Sequence, residues 1–227
     1  MRRLATSALV AVFLTAGEAS AQVVAAGDRS AAGSWEVGGG VTWVGGITGP
    51  ASTAELTSNG ESSGGFDLFS TEGEIKNGAG IGASLAFYLS PAIAVEAGLR
   101  YSQPILTYDL ADDVENAPPV SAEETLSRYV ITASVIWHFR RLTSAHRIVP
   151  FIAGGGGYVR DLHEGNALIE TGGEFHALGG VKYWLGTGRR RFGLRGQAGF
   201  SLTSGGFDFR EASRTLPIAS GSLIYLF

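Results

Sequence analysis

Residues 126–140 read Leu-Ser-Arg-Tyr-Val-Ile-Thr-Ala-Ser-Val-Ile-Trp-His-Phe-Arg. Tyr129, Ile131, Ala133, Val135, Trp137 and Phe139 share one parity; Arg128, Thr132, Ser134 and His138 share the other. Strict alternation is the period of a β-strand, whose successive side chains point to opposite faces. The polarity is inverted relative to a water-soluble sheet. Aromatic residues sit near both ends of the apolar face and charge sits on the opposite face, as expected where lipid lies outside and a polar lumen inside.

Seven further segments repeat the pattern. In 35–45, Trp35, Val37, Val41 and Trp43 oppose Glu36, Gly38, Gly40 and Thr42. In 78–90, Ile81, Ala83, Leu85, Phe87 and Leu89 oppose Gly80, Gly82, Ser84 and Tyr88, and in 92–102, Ile93, Val95, Leu99 and Tyr101 oppose Glu96, Gly98 and Arg100. Segment 148–160 is glycine-rich from Gly154 to Gly157; Phe151, Ala153 and Val159 share a parity there, but its phase stays open. In 171–185, Phe175, Val181 and Tyr183 oppose Glu174, His176, Lys182 and Trp184; in 191–203, Phe192, Leu194 and Phe200 oppose Arg195 and Gln197. Segment 215–227 ends with Leu223, Tyr225 and Phe227 on one face. Each segment reaches the roughly 9–11 residues that a tilted strand needs to cross a bilayer.

Connection lengths supply independent support. Residues 46–77, 103–125, 161–170 and 204–214 are longer, whereas 90–91, 141–147 and 186–190 are short. This rhythm predicts an all-β, eight-stranded antiparallel transmembrane β-barrel over 34–227, with short periplasmic turns, longer extracellular loops and both termini periplasmic. The barrel must close, because an open edge in hydrocarbon strands backbone polar groups.

Residues 1–21 read as a signal peptide: Arg2 and Arg3, an apolar run from Leu4, then Ala19-Ser20-Ala21 before Gln22. Residues 22–33 would form a periplasmic N-terminal segment. Without Arg2, Arg3 and Glu18 the chain keeps 15 basic and 20 acidic residues, a balance of −5, which argues against nucleic acid as a partner. Cysteine is absent, removing disulfides and thiolate chemistry. Glycine, at 34 of 227 residues, is well above the usual share of about 7%.

Alternation sends Glu36, Glu96, Arg100, Arg128, His138, Glu174, His176, Lys182 and Arg195 into the lumen. With the histidines neutral, three acids face four bases. Unpaired buried charge is strongly unfavourable, so the expectation is a lumen filled by crossed ion pairs. The glycines make room for these side chains and for Tyr88, Tyr158 and Trp184.

At the C-terminus, Leu223-x-Tyr225-x-Phe227 resembles the terminal β-signal read by the outer-membrane assembly machinery. Together with residues 150–156 (Pro-Phe-Ile-Ala-Gly-Gly-Gly) and 178–185 (Leu-Gly-Gly-Val-Lys-Tyr-Trp-Leu), it makes the chain resemble the small outer-membrane β-barrel family that includes the OmpA transmembrane domain and OmpX. The resemblance covers about residues 34–227 and is specific for barrel class, weak for activity. It implies the bacterial outer membrane as location, lipid, lipopolysaccharide and the assembly machinery as partners, and a monomer. The sequence stops where OmpA continues into a peptidoglycan-binding domain, so that anchoring role is not expected to carry over.

Catalytic signals are thin. His138 precedes Phe139-Arg140 and His176 precedes Ala177-Leu178, so neither has the serine two residues on that a lipid A deacylase-type barrel carries. A Ser134, His176 and Glu174 set drawn from separate strands stays open, lumenal hydrogen bonding being the simpler role. His138, His146, His163 and His176 show no zinc-type spacing, and Gly154 to Gly157 lacks the Lys-Ser/Thr of a phosphate loop, so no metal or cofactor is expected.

Asp109, Asp112, Asp113, Glu115, Glu123 and Glu124 make 103–125 acidic, and Glu55, Glu61, Asp67, Glu72 and Glu74 do the same for 46–77. A solvated loop is the simple expectation; divalent-cation or cationic-partner contact is the sharper one. Arg140, Arg141, Arg147 and Arg189 to Arg191 fall on the short-turn side, towards phospholipid headgroups or periplasmic partners. The expected function is non-enzymatic: envelope structure or surface interaction through the loops. A small-solute pore and a lipid A-modifying enzyme are the alternatives.

Overall fold

The computed structural model describes residues 32–49, 52–56, 66–111, 113, 118–140, 147–163, 168–185, 191–205 and 214–227. The signal and N-terminal readings up to residue 31, together with Glu61, Asp112, Glu115, Arg141, His146, Arg189 and Arg190, lie outside the described residues, as does the side chain of Glu55.

Thirteen strands are described: β1 Trp35–Val44, β2 Ile47–Thr48, β3 Ser52–Leu56, β4 Phe66–Ile75, β5 Gly78–Tyr88, β6 Ile93–Ser102, β7 Ile105–Ala111, β8 Val120–Thr125, β9 Ser127–His138, β10 Ile148–Leu162, β11 Ile169–Trp184, β12 Arg191–Gly205 and β13 Arg214–Leu226. Eight of them form a closed antiparallel barrel in the order β1-β13-β12-β11-β10-β9-β6-β5. Closure runs through β1, where Val41 lies opposite both Gly221 of β13 and Ile81 of β5. At the end where the chain finishes, Trp35 N–H donates to Phe227 O at 3.0 Å and Phe227 N–H returns to Trp35 O at 2.9 Å. This is the terminus end of the barrel.

The alternation appears as burial. Val41, Ile81, Leu99, Ile131, Val135, Phe175, Phe192 and Phe200 are exposed on the outer wall, whereas Glu36, Ser134, His138, Glu174, Lys182 and Arg195 are buried inside. A continuous apolar belt around a charged interior suits hydrocarbon as the surrounding solvent.

Strand β10 settles the open phase and corrects one expectation. Phe151, Ala153 and Val159 point inward and are buried, so Tyr158, expected in the lumen, lies on the outer wall, 49% exposed. Register decides this: Phe151 lies opposite inward-facing His138 of β9 and Tyr158 opposite outward-facing Ile131.

The second correction concerns the connections. Segments 46–77 and 103–125, read as loops, contain β2, β3, β4, β7 and β8, which form a second sheet in the order β2-β4-β7-β8, with β3 also paired to β4. Ile75, Leu106 and Leu126 are buried together beneath it, with Ile47 and Tyr108 packed against them. Ile47 and Ile75 share a small cavity with the barrel residues Arg128, Asp161 and Leu216, so the base of this outer sheet sits over the far mouth of the barrel. Strand β10 also runs on to Leu162, bringing Asp161 out of the expected loop and into the wall.

Inward glycines answer a steric demand. A Cβ on Gly155 would stand 2.1 Å from the Ala133 carbonyl oxygen, and one on Gly40 would stand 2.1 Å from that of Gly221. A side chain at either place has to move a neighbouring strand.

Candidate functional site

The lumen is layered. At the terminus end Tyr88, Ala94, Ile136, Phe151, Trp184, Ile224 and Leu226 form one buried apolar cluster. Lys182, 1% exposed, donates from Nζ to both Glu36 carboxylate oxygens at 2.8 Å and to the Tyr88 hydroxyl at 3.0 Å. That hydroxyl donates in turn to Glu36 Oε2 at 2.6 Å. The His138 ring stacks on Tyr88 with centroids 5.2 Å apart and tilts against Phe151 at 6.1 Å. His138 therefore belongs to the aromatic layer, not to the ionic one. The Arg191 guanidinium lies 4.2 Å from the centre of the Trp184 ring.

Above this plug, Arg195 grips Glu96 with both terminal nitrogens and donates from Nε to Gln197 Oε1 at 2.9 Å. Arg100 Nη2 bonds both oxygens of Glu174, at 2.6 and 2.5 Å. Arg128 meets Asp161 in a two-pronged pair, Nε to Oδ1 at 2.7 Å and Nη2 to Oδ2 at 2.9 Å. Each pair joins two different strands. Two-pronged guanidinium–carboxylate contacts fix geometry as well as charge, and pairing removes the heavy penalty that a lone buried ion would carry. Between the ionic layers a cavity of about 80 Å³ is lined by Glu96, Arg100, Ser134, His176, Arg195 and Gln197 among others. Beyond it, beside Arg100, Arg128 and Glu174, the free space shrinks to about 20 Å³. Spaces of this size hold a few waters.

Among solved structures, the outer-membrane protein OprG from Pseudomonas aeruginosa aligns with 88% of this chain and 98% of its own, at TM-score 0.51 and 11% identity. The fold is that of the small outer-membrane β-barrels. Ail, the attachment invasion locus protein of Yersinia pestis, solved with the heparin analogue sucrose octasulfate, aligns with 86% of this chain and 99% of its own at TM-score 0.47 and 9% identity. No family model and no curated protein sequence matches the chain. At such identities the likeness is one of fold, and function must be argued from residues.

The closed barrel brings together inside its lumen all nine side chains that alternation sent there. Asp161 is the residue that sequence reasoning missed. Its signal was arithmetic: three acids for four bases left one cation over, and Asp161 is the partner of Arg128.

The Ser134, His176 and Glu174 set is assembled too. Ser134 Oγ lies 2.8 Å from His176 Nε2, and His176 Nδ1 lies 3.5 Å from Glu174 Oε1. The order of groups is that of an acyl-transfer triad, but the surroundings are not. Arg100 already holds both oxygens of Glu174. Ser134 lies in register between Glu96 of β6 and Gly155 of β10, so its backbone polar groups serve the ladder, not an oxyanion hole.

Proposed function

We propose that this chain is a non-enzymatic, monomeric outer-membrane barrel whose filled lumen serves as a rigid base for a surface-exposed sheet that engages partners outside the cell. In this reading the terminus end faces the periplasm, Leu223, Tyr225 and Phe227 are read by the assembly machinery, and lipopolysaccharide surrounds the far rim. The observation that carries the reading is the outer sheet. Among the described residues β8 pairs only with β7, so its other edge has no strand neighbour among them, and Val120 to Glu123 are exposed. Such an edge is a template for an added strand, and main-chain pairing of that kind is a common mode of peptide recognition.

The pore alternative is opposed by the apolar plug and the crossed ion pairs. The lipid-modifying alternative rests on Ser134 and His176, and the committed partners around them favour a structural hydrogen bond.

The chain has no cysteine, so single introduced thiols report topology cleanly. On intact cells a membrane-impermeant maleimide is expected to label Ala122→Cys in β8 and to label Arg147→Cys at the terminus end only after lysis. The reverse pattern would overturn the orientation and with it the surface role.

A further inference from the structure

The outer sheet has two unlike faces. Register puts Glu72 opposite Asp109 and Asp109 opposite Ser121, then Glu74 opposite Thr107 and Thr107 opposite Glu123. Glu72, Glu74, Asp109 and Glu123 therefore share one face, and all four are exposed. Like charges placed directly across a ladder, as Glu72 and Asp109 are, destabilise a sheet. Something other than stability accounts for them.

Lys76 bends into this face, its Nζ donating to Glu123 Oε1 at 2.5 Å. Its pKa is raised, first by that hydrogen bond and then by the nearby charges of Glu123, Glu74 and Asp109. A second observation is independent of the acids. Thr107, at the centre of the same face, is 7% exposed, and its Oγ1 is buried without a hydrogen-bond partner among the described residues. A buried hydroxyl left unpaired costs free energy that valine would not incur.

We propose that this face recognises an extended polypeptide segment with Lys or Arg at alternate positions, and that Lys76 is a built-in stand-in for one of the partner's cations. The inference rests on the surface role above and names the chemistry of the partner. Acids two apart on a strand repeat at about 6.6–6.8 Å, which is also the repeat of alternate side chains in an extended peptide. A divalent ion instead needs oxygens converging within roughly 2.6 Å of one point, and among the described residues no three His, Cys, Asp or Glu side chains are so gathered. An arriving ammonium displaces Lys76 from Glu123, and Thr107 Oγ1 offers it an acceptor.

The test uses the full refolded barrel in lipid nanodiscs and a fluorescent (Lys-Thr)5 peptide, with (Gln-Thr)5 as the uncharged control. Asp109→Asn and Glu123→Gln are each expected to weaken (Lys-Thr)5 binding about two- to fivefold, the usual weight of an exposed ion pair. Lys76→Ala is expected to strengthen it by a similar factor. Thr107→Val is expected to weaken binding while the sheet stays folded by circular dichroism. Equal binding of both peptides, or a Lys76→Ala variant that binds no more tightly, overturns the charge reading. If Ala122→Pro in β8 abolishes binding of both peptides equally, the surface reading stands without it; if Ala122→Cys is silent on intact cells, the surface reading itself fails.

Discussion

Lys182 is the residue on which the lumen's terminus end turns. It is held by Glu36 and Tyr88 and buried below the ionic layers, so removing it strands Glu36 in the interior. Lys182→Met is expected to destabilise the barrel by about 3–5 kcal/mol, and Glu36→Leu combined with Lys182→Met to recover most of that loss. Urea unfolding in lipid bilayers measures both; a single variant as stable as the parent would show that the pair carries no weight. Glycines give a sharper contrast. Gly155→Ala drives a Cβ towards the Ala133 carbonyl and is expected to cost about 1–3 kcal/mol. Gly221→Ala, with nothing within 4 Å of its added carbon, is expected to be near neutral by the same measurement. At this scale the sequence was informative where parity was clean, as for Glu36 and Lys182. It was silent on Phe151 against Tyr158, because two aromatics on opposite parities of a glycine-rich strand do not reveal which faces lipid. Only the register with β9 does.

Among the elements, β9 tests the membrane claim directly. Ile131 is 59% exposed on the outer wall. In a bilayer Ile131→Arg is expected to cost about 2–4 kcal/mol, whereas on a water-facing strand it would stay within about 0.5 kcal/mol. Unfolding in vesicles distinguishes the two, and a neutral result would argue against a lipid-facing position. The eight barrel strands were legible because lipid on one side and a crowded polar lumen on the other enforce alternation over their whole length. The outer sheet is under no such constraint. β4 runs Phe-Asp-Leu-Phe-Ser-Thr-Glu-Gly-Glu-Ile with no clean period, and β8 has one large apolar residue, Val120. Only β7 left a trace, Leu106, Tyr108 and Leu110 alternating with Thr107 and Asp109. That signal was masked by the acidic composition of the connection.

For the whole molecule, the pieces fit one arrangement: a closed wall with apolar residues outward, a lumen stopped by an apolar cluster and crossed ion pairs, and an ordered sheet standing over the far mouth. The Ser134 and His176 contact falls within it as a lumenal hydrogen bond, so a serine-directed fluorophosphonate is expected to leave the folded protein unlabelled. Labelling that disappears in Ser134→Ala would make the site chemically active and revive the enzymatic reading.

Single-channel recording of the refolded protein in planar bilayers separates an interior that is a support from one that is a passage. A support leaves the membrane silent, with no stable conductance steps at moderate voltage, and that is the expected result. Reproducible steps from the parent protein, lost on denaturation, would contradict it.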